Sequence, residues 1–267
     1  MRGTEKRLGP LPCFVHINKN AGTSIRRILG WNYPPGELLE VMVQGRRSAD
    51  GRAKTVHGLD EDVHAAVEDV QERQYQLSCV AANLPFGLHE YLARPVSYFA
   101  LMREPVSRCL SYWYFVYRTR ADSRMWSLFQ FYNFDLRRIL ADGAVFPLSN
   151  DQVRMLSGSS ASQPGEQEFR RAREVIEEHF ILVGAVDYFD ASVSTLARRL
   201  SWKRIAAVHE NKGVETEAAR LPPEAAAFLR DANEWDIRLY ANGWWSITCP
   251  ASSLDCQMTS DGGRQIR

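Results

Sequence analysis

Apolar residues fall along the chain in short dense runs, separated by longer stretches where they recur every three or four positions. The runs at 13–17 (Cys13-Phe14-Val15-His16-Ile17), 77–82, 96–102 and 180–184 have the length and continuity of strands buried on both faces. The intervening stretches read as helices. The first runs from Thr23 to Leu29, and a polar one covers 61–74. After Pro105, which suits a first helical turn, Val106, Leu110, Trp113 and Tyr117 form one stripe. Residues 150–158 open on the cap-type residue Asn150 and close on Gly158, as a short helix does. Phe169, Ala172 and Ile176 mark a helix over 166–179, and Phe189, Val193, Leu196 and Leu200 mark the next. Pro222 and Pro223 open a last helical region, with Phe228, Ala232, Trp235 and Leu239 expected inside. Asn32-Tyr33-Pro34-Pro35-Gly36 is a turn cluster, 44–60 an exposed polar loop, and 157–165 a mobile loop rather than a domain boundary. Strands alternating with helices predict an α/β fold with a parallel sheet. It would be one domain over 1–245, followed by a flexible tail at 246–267.

Bulk properties narrow the function classes. The chain has 267 residues, a net charge of +1, 45% apolar and 24% charged residues, which is ordinary for a water-soluble globular protein. So small a net charge argues against a surface that coats nucleic acid. No apolar run approaches the ~20 residues a membrane-spanning helix needs, and residues 1–12 lack a secretory h-region. The expected location is cytoplasmic, or a trimmed luminal domain. The five cysteines are Cys13, Cys79, Cys109, Cys249 and Cys256. The first three sit in apolar contexts and read as buried free thiols. Cys249 and Cys256 are close enough in sequence to pair. No metal-ligand cluster and no internal repeat is visible.

The chemistry concentrates at strand ends. In Phe14-Val15-His16-Ile17-Asn18-Lys19-Asn20-Ala21-Gly22-Thr23-Ser24 a strand passes through a tight polar loop into a helix. Free backbone N–H groups and the helix dipole make such a junction an anion site. Gly22 is expected to supply backbone freedom and an open approach, and Lys19, Thr23 and Ser24 make the ligand phosphate-like. The run 77–82 delivers Asn83, His89 and Glu90, the latter two placed for acid–base work if they lie at the strand's end. The third run ends in Arg103-Glu104-Pro105-Val106-Ser107-Arg108-Cys109-Leu110-Ser111-Tyr112. There Arg103 and a helix face carrying Ser107 and Ser111 suit a second phosphate. The aromatic residues of 114–141 are expected in a helical core, with an acceptor pocket as the alternative. His57 reads as a surface residue. His209-Glu210-Asn211-Lys212-Gly213 is a polar loop, either a plain turn or a ligand contact.

Two of these segments resemble a known family. A Walker loop places its Lys directly before Ser/Thr, whereas Lys19 precedes Thr23 by four positions. That spacing resembles the 5′-phosphosulfate loop of sulfotransferases that use PAPS (3′-phosphoadenosine 5′-phosphosulfate). The likeness departs at Asn18, where many relatives have Pro, and at Asn20. The pattern Arg-x-Pro-x-x-Arg-x-x-Ser-Tyr, from Arg103 to Tyr112, resembles the same enzymes' 3′-phosphate motif. The chain as a whole is similar to the carbohydrate type, related to Golgi heparan sulfate 2-O-sulfotransferases and their bacterial relatives. The resemblance implies a P-loop-like, three-layer fold, PAPS as co-substrate, PAP as product and no metal. It implies cofactor contacts at Asn20, Ala21, Gly22, Thr23, Ser24, Arg103, Ser111, Lys212 and Gly213, and a catalytic Lys19. Relatives often read Gly-His where this chain reads Ala82-Asn83, so the base would be His89 or Glu90, with Asn83 a substrate hydrogen-bonding group beside Arg154. The acceptor would be a hydroxyl on a saccharide, a small molecule or a protein tyrosine, and the likeness extends the location to the Golgi lumen. Two alternatives stand: a sulfotransferase-like domain that binds a nucleotide or partner without turnover, and a P-loop kinase. Oligomeric state is left open.

Overall fold

Five parallel strands form one sheet in the order β2-β3-β1-β4-β5. The structure, a computed structural model, describes residues 9–41, 61–120, 124–205, 221–222 and 224–243. The strands are β1 (Leu11–Val15), β2 (Leu38–Val41), β3 (Cys79–Ala82), β4 (Val96–Met102) and β5 (Phe180–Ala185). Register aligns Cys13 of β1 with Val80 of β3 and Tyr98 of β4, so the central strands end nearly level. The sheet is α/β and all-parallel with helices on both faces, as the alternation of elements requires.

Odd and even positions of β1 separate the two layers. Leu11, Cys13 and Val15 pack with Val67 and Val70 of α2 (Glu61–Arg73), Val153 and Leu156 of α6 (Asp151–Ser157), and Val175 and Ile176 of α7 (Glu166–His179). Phe14 faces the other way, against Ile25, Ile28 and Leu29 of α1 (Gly22–Asn32) and Val193 and Leu196 of α8 (Phe189–Leu200). A third apolar cluster lies apart from the strands. It joins α3 (Pro105–Arg118), α4 (Arg124–Phe131), α5 (Leu136–Ala141) and α9 (Ala225–Ala232) through Trp113, Val116, Phe129, Ile139 and Leu229. The aromatic residues of this region are thus mostly helical core, Trp113 and Phe129 meeting at 4.6 Å. The last helix, α10 (Glu234–Ala241), touches α6 and α7.

Three expectations shift. The strand β2 was not foreseen: four residues at the sheet edge, with Glu40 exposed, leave too little apolar pattern. In α3 the buried stripe is Arg108, Cys109, Tyr112, Trp113 and Val116, one position out of phase with the expected one. In the C-terminal helices the buried positions are Ala225, Leu229, Asn233, Asp236 and Leu239. Asn233 and Asp236 are polar, so the apolar pattern could not mark that face. Cys13, Cys79 and Cys109 are buried and free. Burial pushes the Cys13 thiol up to about 12. Residues 44–60, the proposed tail at 246–267, His57, Cys249 and Cys256 lie outside the described residues. No helix among the described residues is long and apolar enough to cross a membrane.

Candidate active site

The loop between β1 and α1 leaves its donors open. Ala21, the N-cap of α1, has a left-handed backbone and no side chain caps the helix. The Asn20 N–H donates to the Ile17 carbonyl at 3.3 Å, but among the described residues no backbone acceptor takes the N–H of Ala21, Gly22, Thr23 or Ser24. Four unspent donors at the head of an 11-residue helix form an anion cradle. The positive φ angles fall at Lys19 (68°) and Ala21 (57°), not at Gly22. Gly22 is therefore not needed for its φ angle but for the space under the loop. A Cβ there would overlap the His16 ring, which lies buried beneath the loop. His16 stacks on Phe14 at 5.7 Å. Burial first, then Arg26 and Lys19, pushes His16 down to about 4, so the ring is neutral at pH 7.

The β4–α3 turn is built oppositely. Glu104 caps α3 with its own carboxylate, accepting from the N–H of Val106 at 3.0 Å and of Ser107 at 2.7 Å. The helix terminus is spent, and only side chains remain for a ligand. Arg103 stands at the strand end, and Ser107 and Ser111 lie half-buried one turn apart on α3.

These two turns meet. The Arg103 guanidinium donates to the Lys19 carbonyl at 3.4 Å. The Lys19 ammonium lies over the Phe115 ring, 4.3 Å from its centre, and Phe115 is one turn beyond Ser111. Burial, then the charges of Arg118 and Arg103, pull Lys19 down to about 8. Among the described residues no carboxylate lies within ion-pair distance of Lys19, Arg103 or Arg118. Three neighbouring cations beside four open N–H groups suit a ligand with more than one negative charge.

A buried amide ties the turns together. The Gln152 oxygen accepts from Asn20 Nδ2 at 2.8 Å and from the Arg103 N–H at 2.9 Å. Its Nε2 donates to the Arg103 carbonyl at 2.9 Å. Asn20 Nδ2 also donates to the Leu101 carbonyl at 2.8 Å. Asn20 and Gln152 are 1% and 0% exposed. The Asn20 side-chain NH₂ therefore holds the loop, while its buried Oδ1 has no partner among the described residues. Gln152 was overlooked because a Gln in a short helix carries no pattern of its own. Phe115 and Arg118 follow Ser111 by four and seven positions, a spacing that would have found them.

Other expected site residues lie elsewhere. His89 and Glu90 occupy a short 3₁₀ turn that the structure does not bring to Lys19. The His89 ring meets the Tyr98 hydroxyl at 3.0 Å and the rings of Phe86 and His179 at 4.8 and 4.9 Å. Tyr98 lies four residues before Met102, roughly 13 Å down β4, and is level with Cys13, two residues and roughly 7 Å before the end of β1 at ~3.3 Å per residue; His179 directly precedes β5. Glu90 is exposed. Burial, then His179, lowers the His89 pKa. Among the described residues no hydrogen bond or ring contact joins either residue to the loop of residues 18–24. Arg154 pairs with Asp151 and packs over Phe146 at 5.4 Å. Arg108 is wholly buried and pairs with Asp151 at 3.3 Å. Asn83 lies at the carboxyl-terminal edge of the sheet: it follows β3 directly and donates its N–H to the Val41 carbonyl, one residue from where Ala82 accepts from His16. Lys212 and Gly213 lie outside the described residues. No family model and no curated protein matches the chain.

Proposed function

We propose that the chain is a PAPS-dependent O-sulfotransferase that moves a sulfuryl group to a hydroxyl acceptor, a saccharide or small molecule, and releases PAP. One observation carries the reading. The Lys19 loop and the Arg103 turn, over eighty residues apart in sequence, meet at a single cationic edge, where Asp187 and Glu104 act on Arg103 without forming an ion pair among the described residues. A kinase is disfavoured by the place of Lys19 before Ala21 rather than beside Thr23.

The residues divide the work. The N–H groups of 21–24, with the Thr23 and Ser24 hydroxyls, hold the 5′-phosphate end. Arg103 and Ser111 hold the 3′-phosphate. PAPS, when bound, supplies an activated sulfuryl group. Lys19 offsets the charge that gathers on the leaving phosphate as the sulfuryl group departs. The partly depressed Lys19 is a stronger proton donor than an ordinary lysine and is already desolvated.

A second reading has its own support. Asn83 stands where relatives often carry the base, and His89 lies down the sheet. Both favour a nucleotide-binding domain without turnover. Titration with PAP and transfer of [³⁵S]sulfate from labelled PAPS to a panel of hydroxyl acceptors separate the two. Binding with transfer supports the enzyme, binding without transfer supports the second reading, and absence of PAP binding sinks both.

A further inference from the structure

We infer that Gln152 is a positioning residue that couples the two phosphate subsites, so that the protein prefers a bisphosphorylated nucleotide over either monophosphate. The inference rests on the proposed nucleotide site and adds a source for its selectivity. Each turn alone is a weak anion site: one has open N–H groups and a lysine, the other an arginine and a hydroxyl. Their separation and mutual angle decide whether one ligand can reach both. That geometry passes through one side chain. The Gln152 oxygen is shared between Asn20, which anchors the first loop, and the Arg103 N–H, which begins the second turn. Its Nε2 closes a two-bond ring on Arg103 by donating to the carbonyl.

The amide has little freedom to do otherwise. It is fully buried. The main chain of 152–153 is itself fixed, the N–H of Gln152 and Val153 donating to the Asp236 carboxylate at 3.1 and 2.7 Å. Gln152 touches neither Lys19 nor the Arg103 guanidinium, so its effect on ligand is indirect. Removing it should leave each turn able to hold its own phosphate while their fixed spacing is lost. What falls is the benefit of holding both at once.

The test compares PAP with adenosine 5′-phosphate and adenosine 3′-phosphate on the full chain, by calorimetric titration, for wild type and Gln152→Leu. Gln152→Glu is the second variant should Leu fail to fold; it keeps the acceptor but faces the Arg103 carbonyl with an oxygen. PAP affinity should fall about tenfold or more, the scale of an ordinary coupling between sites, while both monophosphate affinities hold nearly steady. A general loss of stability would lower all three together. An unchanged preference for PAP in a folded variant overturns the inference. Amide exchange without nucleotide gives an independent readout. The variant should speed exchange at both Asn20 and Arg103, and speeding at Arg103 alone overturns the coupling. If wild type binds no PAP, the proposed function falls and the exchange result alone decides whether the turns are linked.

Discussion

Burial and two neighbouring guanidiniums hold the Lys19 ammonium down to about 8, on a backbone at φ 68°. Both features work against the fold. Between about 8 and the ordinary 10.5 the unfolded chain keeps a proton that the folded chain has released, so stability rises with pH across that window and the full penalty stands at neutral pH. Lys19→Met should therefore raise Tm by a few degrees while cutting transfer by roughly 10²–10³, the usual scale for a transition-state charge contact. A calorimetric scan beside a transfer assay checks both, and a Tm that falls refutes the strain. In the wild type PAP affinity should weaken as pH rises through about 8, and in Lys19→Met that step should vanish. Gly22 invites a second residue-scale test, since a Cβ would strike His16. Gly22→Ala should cost about 1–3 kcal/mol, as overpacking does. The cost should shrink in a His16→Ala background when urea midpoints are compared as a double-mutant cycle. The need for glycine was legible in the sequence, but its cause was not. A loop motif suggests φ freedom, and only coordinates place the His16 ring under the turn.

Among the elements, α6 decides how firmly the site is held, and it is held from outside. Its N-cap residue, Asn150, makes no side-chain cap. Asp236 on α10 supplies the acceptor for the N–H of Gln152 and Val153 instead, and Asn233 accepts the Asn150 N–H at 3.0 Å. Asp236 is fully buried, near Arg108. Burial pushes its carboxyl up to about 6, with Arg108 opposing the shift. Asp236→Ala should destabilise the protein by about 2–6 kcal/mol, about 1–3 for each of the two buried N–H groups that lose their acceptor. Asp236→Asn keeps the shape but turns an NH₂ toward one of the two donors, and should cost about 1–3 kcal/mol. Chemical denaturation gives both values, and an unperturbed Asp236→Asn would deny the carboxylate its capping role. The existence of α6 was legible from Asn150 and Gly158. Its dependence on a residue 84 positions away was not, because a polar side chain on a buried helix face breaks the apolar stripe that periodicity reads. The same break explains the misjudged inner face of α9 and α10.

At the scale of the whole molecule, parallel strands gather their carboxyl ends along one edge, and loops at that edge meet whatever their order in the chain. The meeting of the Lys19 and Arg103 turns was legible for that reason: each motif sat directly after an apolar run, and β1 and β4 are neighbours. The position of His89 was not legible, because periodicity does not say which way an irregular connection travels. Residues 83–95 leave the carboxyl-terminal edge after β3 and must return to the start of β4. The segment crosses the face of the sheet on the way, fixed by the Phe86 N–H to Met155 at 2.8 Å and by Gly158, where a Cβ would collide with the Phe86 carbonyl. Distance along this segment therefore becomes distance from the site. Amide exchange with and without PAP turns that geometry into a prediction. Nucleotide should slow exchange in three stretches remote in sequence, at 20–25, 103–111 and 151–154, since one ligand braces the first two and Gln152 joins the third to them. Exchange at 88–92, around His89, should not change, for its partners are Tyr98 and His179. Protection that appears at 88–92 and spares 103–111 would place the nucleotide at the other end of the strands and return His89 to the chemistry.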